Sequence, residues 1–187
     1  MSILIQDCAT TTSSRYGSAT GGTSDGLILS GIFTPGSITI NRFHAARNGG
    51  SGISIGKAAT AAGSVTVASL LIRDSVLVAN NPDEHEWRGV QESQLHLLTL
   101  TPSFDANITR FGGVTLDNLS VVLSSDHQNN RSSWLTTVGA GSVTDIEGTV
   151  TLNSSIGCPL APPSFGAGAT DISLAITCVP LAIPNLP

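Results

Sequence analysis

Two runs of this sequence crowd acids, a histidine and a tryptophan together, and chemistry would be sought there first. In Asn80-Asn-Pro-Asp-Glu-His-Glu-Trp-Arg-Gly89, the side chains of Asp83, Glu84, His85, Glu86 and Arg88 surround Trp87. Carboxylates beside a histidine can ligate a metal or move protons, and an indole with a polar rim is a platform for a sugar ring. The second run, Asp126-His-Gln-Asn-Asn-Arg-Ser-Ser-Trp134, repeats this make-up with Asp126, His127, Arg131 and Trp134. Neighbours on an extended chain point to opposite sides, and no His-Glu-x-x-His helix gathers ligands on one face. The expectation is therefore no catalytic residue, no metal site and no cofactor. The first run reads as a solvated loop with Trp87 packed as an anchor and the second as a polar loop between strands, or both as contact surfaces for a partner or glycan.

Other acids stand beside apolar runs. Asp74, Asp117, Asp145 and Glu147 would share a face if their strands stacked in register, as the paired carboxylates of a glycoside hydrolase must. Ordinary edge or corner carboxylates explain them better. His44 and His96 sit within apolar strands and read as hydrogen-bonded structural histidines. The sequons at Asn107, Asn118, Asn130 and Asn153 are expected by chance in a chain so rich in Ser and Thr.

The elements that must position these residues are strands. From Gly26 onward, short β-branched runs alternate with Gly, Asn, Asp and Pro, the strand-and-turn pattern rather than the helical one. Several runs share a glycine followed by an aliphatic-Thr strand: Gly36-Ser-Ile-Thr-Ile, Gly63-Ser-Val-Thr-Val, Gly113-Val-Thr-Leu, Gly141-Ser-Val-Thr-Asp and Gly148-Thr-Val-Thr-Leu. With Ile38, Val65, Leu95, Val114, Val143 and Ile172 as markers, the spacings are 27, 30, 19, 29 and 29 residues. A period in this range is the trace of a stacked array.

Composition narrows the classes. The 187 residues suit one domain that buries a core without disulfides. Only 11% are charged and the net charge is -5. The eight Lys and Arg residues are scattered singly, which excludes a phosphate-binding stripe and with it nucleic acid as a partner. No apolar run reaches the roughly 18 residues that span a bilayer, so no membrane contact is expected. The N-terminus lacks a signal-peptide pattern; secretion remains the alternative if a leader has been removed. Cys8, Cys158 and Cys178 lack metal-ligand spacing and read as small buried residues in a reduced compartment, with a Cys158–Cys178 bond as the alternative in an oxidising one.

Three segments follow: residues 1–26, a strand and a Thr/Ser/Gly-rich arm; residues 27–178, the β-rich domain; and residues 179–187, a proline-rich tail that cannot continue a ladder. The run Asn48-Gly-Gly-Ser-Gly-Ile-Ser-Ile55 and the strand before it resemble a coil of the right-handed parallel β-helix proteins, the pectate-lyase-like and phage tailspike class. That resemblance implies an all-β β-solenoid with an arm at each end. An antiparallel β-sandwich or jelly roll is the alternative.

Weak charge, a strand-forming Gly/Ser/Thr/Val composition and apolar or flexible ends point to a structural protein of the virion type. A phage decoration, tail or fibre component, it would be made in the host cytoplasm and act as a homo-oligomer, a trimer first, with other structural proteins as partners. A carbohydrate-binding or carbohydrate-cleaving β-helix is the second reading. An ice-binding or adhesive solenoid is the third, resting on Thr39, Thr66, Thr115 and Thr144 recurring once per turn.

Overall fold

Aliphatic residues two apart, as in Ser37-Ile-Thr-Ile and Ser69-Leu-Leu-Ile, can bury one side of an extended chain. In the computed structural model they do so in strand after strand. The structure describes residues 1–11, 25–30, 36–48, 50–57, 65–78, 80, 95–98, 109–123, 134–138, 145–154 and 171–180. The strands are β1 (Ser2–Thr11), β2 (Leu27–Ser30), β3 (Ser37–Ala46), β4 (Ile53–Lys57), β5 (Val65–Val67), β6 (Ser69–Arg73), β7 (Val76–Val78), β8 (Leu95–Leu98), β9 (Thr109–Phe111), β10 (Val114–Leu123), β11 (Leu135–Val138), β12 (Asp145–Ser154) and β13 (Asp171–Pro180). The fold is all-β.

These strands form three sheets. The large sheet runs β1, β3, β6, β10, β12, β13, with β7 continuing β6 between β3 and β10. A second sheet runs β11, β8, β4, β2, and a third pairs β5 with β9. Every pairing among the described strands is parallel, so these strands do not make an antiparallel sandwich or jelly roll. Parallel neighbours need a crossover, and four of the five within the large sheet, all but that from β12 to β13, pass through another sheet. From the large sheet the chain goes to the four-stranded one (β1 to β2, β3 to β4, β7 to β8, β10 to β11). Twice it then goes on to the two-stranded one (β4 to β5, β8 to β9) before returning.

One buried cluster draws on all three sheets. It joins Ile38, Ile40, Leu70, Ile72 and Leu116 of the large sheet to Ile53, Ile55, Leu95 and Leu97 of the second and Val67 and Phe111 of the third. Register stacks like on like: Ile5, Ile40, Ile72 and Leu116 form one column, and Ile3, Ile38, Leu70 and Val114 another. Each such side chain contributes about 1.5–3 kcal/mol on burial.

The long strands turn a corner halfway. Asp7, Arg42, Asp74 and Asn118 have φ of 54°, 51°, 49° and 50°; in the ladder each sits one residue before a paired or aligned position. A left-handed residue reverses which side the next residue faces, so Ile38 and Ile40 point inward before the corner and Phe43 and Ala45 after it. The conformation costs about 1–2 kcal/mol for an ordinary L-residue and less for Asn or Asp, which is why three of the four are Asp or Asn.

Two sequence expectations need correction. The repeat markers mixed sheets: Ile38, Val114 and Ile172 lie in the large sheet, Val65 in the two-stranded one and Leu95 in the four-stranded one, while Val143 lies outside the described residues. The large sheet itself advances by 35, 32, 44, 32 and 26 residues, from Ile3 through Ile38, Leu70, Val114 and Ile146 to Ile172. The Thr/Ser/Gly-rich stretch, expected to be an arm or long loop from Ala9 to Gly26, is strand at its start. Ala9, Thr10 and Thr11 pair with His44, Ala45 and Ala46 as part of β1, because threonine is as good a strand former as a loop residue. Asp25 and Gly26 are tied to the chain ahead of β4 through Asp25 Oδ1, which accepts from Ser51 N at 2.8 Å, and Gly26 N, which donates to Ser51 O at 2.8 Å.

Candidate functional site

The corner of the large sheet gathers the polar side chains that the strands cannot bury. At the left-handed position, Arg42 Nε and Nη2 donate to Asp7 Oδ1 and Oδ2 at 2.5 and 2.7 Å. Two strands on, Asn118 Nδ2 donates to Asp74 Oδ1 at 2.7 Å. One position earlier, Asn41 Nδ2 donates to Gln6 Oε1 at 3.5 Å and Arg73 Nε to Asn41 Oδ1 at 3.2 Å. Like charges directly opposite would repel; the columns avoid this by running Asp7, Arg42, Asp74, Asn118 and Gln6, Asn41, Arg73, Asp117.

The electrostatics follow from these contacts. The Arg42 guanidinium, then the Gln6 amide, lowers the Asp7 carboxyl from 3.8 to about 2. Asp7 in turn raises Arg42, with a smaller push from Asp74. Arg42 and Asp7 are 49% and 56% exposed, so the pair is in water and its worth is small.

A second polar knot lies inside, where β3 ends. Arg47 is left-handed at φ 54°, and its N–H donates to Val78 O at 2.9 Å. Asn48 is fully buried. Its N and Nδ2 donate to Asn80 Oδ1 at 3.1 and 2.9 Å, and Asn80 Nδ2 donates to Ala45 O at 3.1 Å. Buried amides matched in this way fix where the chain leaves the large sheet.

The residues expected to make contacts are distributed otherwise. Asp83, Glu84, His85, Glu86, Trp87, Arg88, Asp126, His127 and Arg131 lie outside the described residues. Trp134 is 1% exposed and belongs to the core, which removes it from any contact surface. It closes a polar run in sequence, yet its carbonyl accepts from Leu95 N at 2.9 Å and β11 begins at the next residue.

Asp74, Asp117, Asp145 and Glu147 do come to one sheet. Asp74 is engaged by Asn118, and Glu147 Oε1 accepts from Thr115 Oγ1 at 3.2 Å. His44 Nε2 is buried without a hydrogen-bond partner, contrary to the satisfied histidine expected. His96 lies in β8. Cys8 and Cys178 are free and exposed, not buried, because they stand on the first and last strands of the stack, where inward columns run out. Cys158 lies outside the described residues.

The threonine array fails as a continuous face. Thr39 and Thr115 share a column but Leu71 stands between them. Thr66 is on the two-stranded sheet beside Arg110, and Thr144 is outside the described residues.

Comparison with protein-family models, curated proteins and solved structures found no match to this chain. No described helix is long and apolar enough to cross a membrane. Among the described residues, no three His, Cys, Asp or Glu side chains are grouped so as to hold a metal ion.

Sequence reasoning missed Asp7, Arg42 and Arg73. The signal was present in the runs Ser2-Ile-Leu-Ile-Gln-Asp, Ser37-Ile-Thr-Ile-Asn-Arg and Ser69-Leu-Leu-Ile-Arg-Asp. Each is Ser, aliphatic, any, aliphatic and then two polar residues, and the polar pair is the corner.

Proposed function

We propose that this chain is a structural protein of the virion type that works by self-assembly, and that its three sheets are the faces of a right-handed β-solenoid. The fixed order in which the chain visits the sheets, with every described pairing parallel, supports the solenoid. Right-handed crossovers are the strong rule for parallel strands.

The observation that carries the assembly reading is the pair of end strands. β1 and β13 are ten residues each and, among the described residues, pair on one side only. They expose Leu4 at 65%, Ile172 at 42% and Ile176 at 40%. Long apolar edges favour association with another chain. The virion setting rests on the composition: weak charge, strand-forming small residues and no catalytic cluster in the sequence.

Sedimentation velocity across a hundredfold concentration range tests it, with a trimer or larger species expected. A monomer throughout would overturn the proposal. The glycan reading keeps one supporting observation, the exposed acids Asp74, Asp117 and Glu147 on one sheet. A glycan array tests it, and neither binding nor cleavage would end it.

A further inference from the structure

We infer that the two ends of the large sheet are made for each other: β13 of one copy takes β1 of a second copy as its next parallel strand, head to tail. This rests on the assembly reading and names its partner as a second copy of this chain.

Register carries the inference. The columns of the large sheet run from β1 through β3, β6 and β10 to β12 and β13 without losing their inward or outward sense. One further step places Ile3 beside Ile172, Ile5 beside Leu174, Cys8 beside Ile176 and Thr10 beside Cys178. The half-exposed Ile172 and Ile176 would then gain the aliphatic or small neighbour that every inner strand already has.

The corner fits as well. β1 carries two corner residues, Gln6 and Asp7, whereas β13 follows β12 in having one fewer. The same difference already exists inside the molecule, where the register of β10 on β12 shifts between Leu116 and Leu119.

A two-fold contact of β13 with β13 would be antiparallel and would face Asp171 with the Pro180 end of its mate, breaking the columns. The head-to-tail contact keeps them. It is heterologous, so it propagates rather than closing on itself.

Cross-linking tests this on the full chain. Ile176→Cys is made with Cys158→Ala and Cys178→Ala, so that Cys8 is the remaining native thiol, and the protein is oxidised with diamide at high concentration. Adjacent strands, at about 4.8 Å, fall within the Cα separation a disulfide spans. A ladder of dimers, trimers and higher species, joined between position 176 and Cys8 by peptide mapping, is expected. Thr177→Cys in the same background faces the other side and should give at least tenfold less linkage to Cys8.

The reciprocal pair, Thr10→Cys with Cys8→Ala and Cys158→Ala, should link to Cys178 and guards against a poorly folding variant. Oligomers by sedimentation with neither link would overturn the head-to-tail contact and leave self-assembly standing. A 176-to-176 link in dimers would replace it with the antiparallel contact. A monomer whose position-176 thiol is shielded from maleimide would mean that residues 181–187 of the same copy cover β13, and both readings would fall.

Discussion

Replacing Gly148 by alanine should cost about 2–6 kcal/mol, and the same change at Gly113 almost nothing. Gly148 lies in β12 where that strand takes the corner with one residue fewer than β10, and its φ is 127°. An L-residue held there is strained by about 1–3 kcal/mol. A Cβ at Gly148 would also land on the carbonyl oxygen of Leu116 in β10, with the Leu116 carbonyl carbon and nitrogen close behind. These are backbone atoms and cannot swing away.

The strands must part locally, and losing two ladder hydrogen bonds adds about 1–3 kcal/mol. A Cβ at Gly113 meets nothing within 4 Å, so Gly113→Ala should lie within about 0.5 kcal/mol of wild type. Urea unfolding of both variants, read as the shift in midpoint at constant slope, measures the difference. Equal midpoints would refute the corner geometry, and with it the register between β10 and β12.

Three further outcomes follow from the same structure. Trp134→Ala should destabilise by about 3–5 kcal/mol in urea unfolding, as truncation of a buried aromatic does; an unchanged midpoint would return Trp134 to the surface. Asn80→Ala strips Asn48 N and Nδ2 of a buried acceptor and should cost about 2 kcal/mol, whereas Asn118→Gly, at an exposed left-handed corner, should cost less than half of that in the same assay. The Asp7 carboxyl is lower when folded, about 2 against 3.8, so its contribution is present above pH 4 and lost as pH falls through 2; wild type and Asp7→Asn should converge in thermal midpoint over that window, and parallel curves would show that the Arg42 contact is not made.

Strand content was legible because its signal is local. Ser37-Ile-Thr-Ile and Gly113-Val-Thr-Leu alternate as half-buried strands do, and both are strands. Parallel stacking was half legible: the Asn48 to Ile55 run does turn from β3 into β4, a different sheet, but the period was misread. Nothing local distinguishes Val65 on one sheet from Ile38 on another, since both sit in aliphatic-Thr-aliphatic runs and pairing is decided by residues 32 to 44 positions away. The corner was missed because a lone Asp7 or Arg42 looks like an ordinary surface charge; only register shows that they meet. Trp134 was misplaced for the opposite reason: polar neighbours in sequence say little about a side chain whose strand begins one residue later.

The distribution of charge connects the corner with the ends. The described corner columns alternate acid, base and amide, so each charge is answered by the strand beside it, and the broad face between corners carries Thr39, Leu71 and Thr115 at partial exposure. Such a face has little charge with which to select a partner. The ends differ: there the columns stop with Ile172 and Ile176 still half-exposed. A neighbour that supplies inward apolar or small side chains would cover both, and β1 carries Ile3 and Cys8 at those positions of the register. In the proposed head-to-tail contact weak charge is no obstacle, because backbone and aliphatic columns would determine the fit.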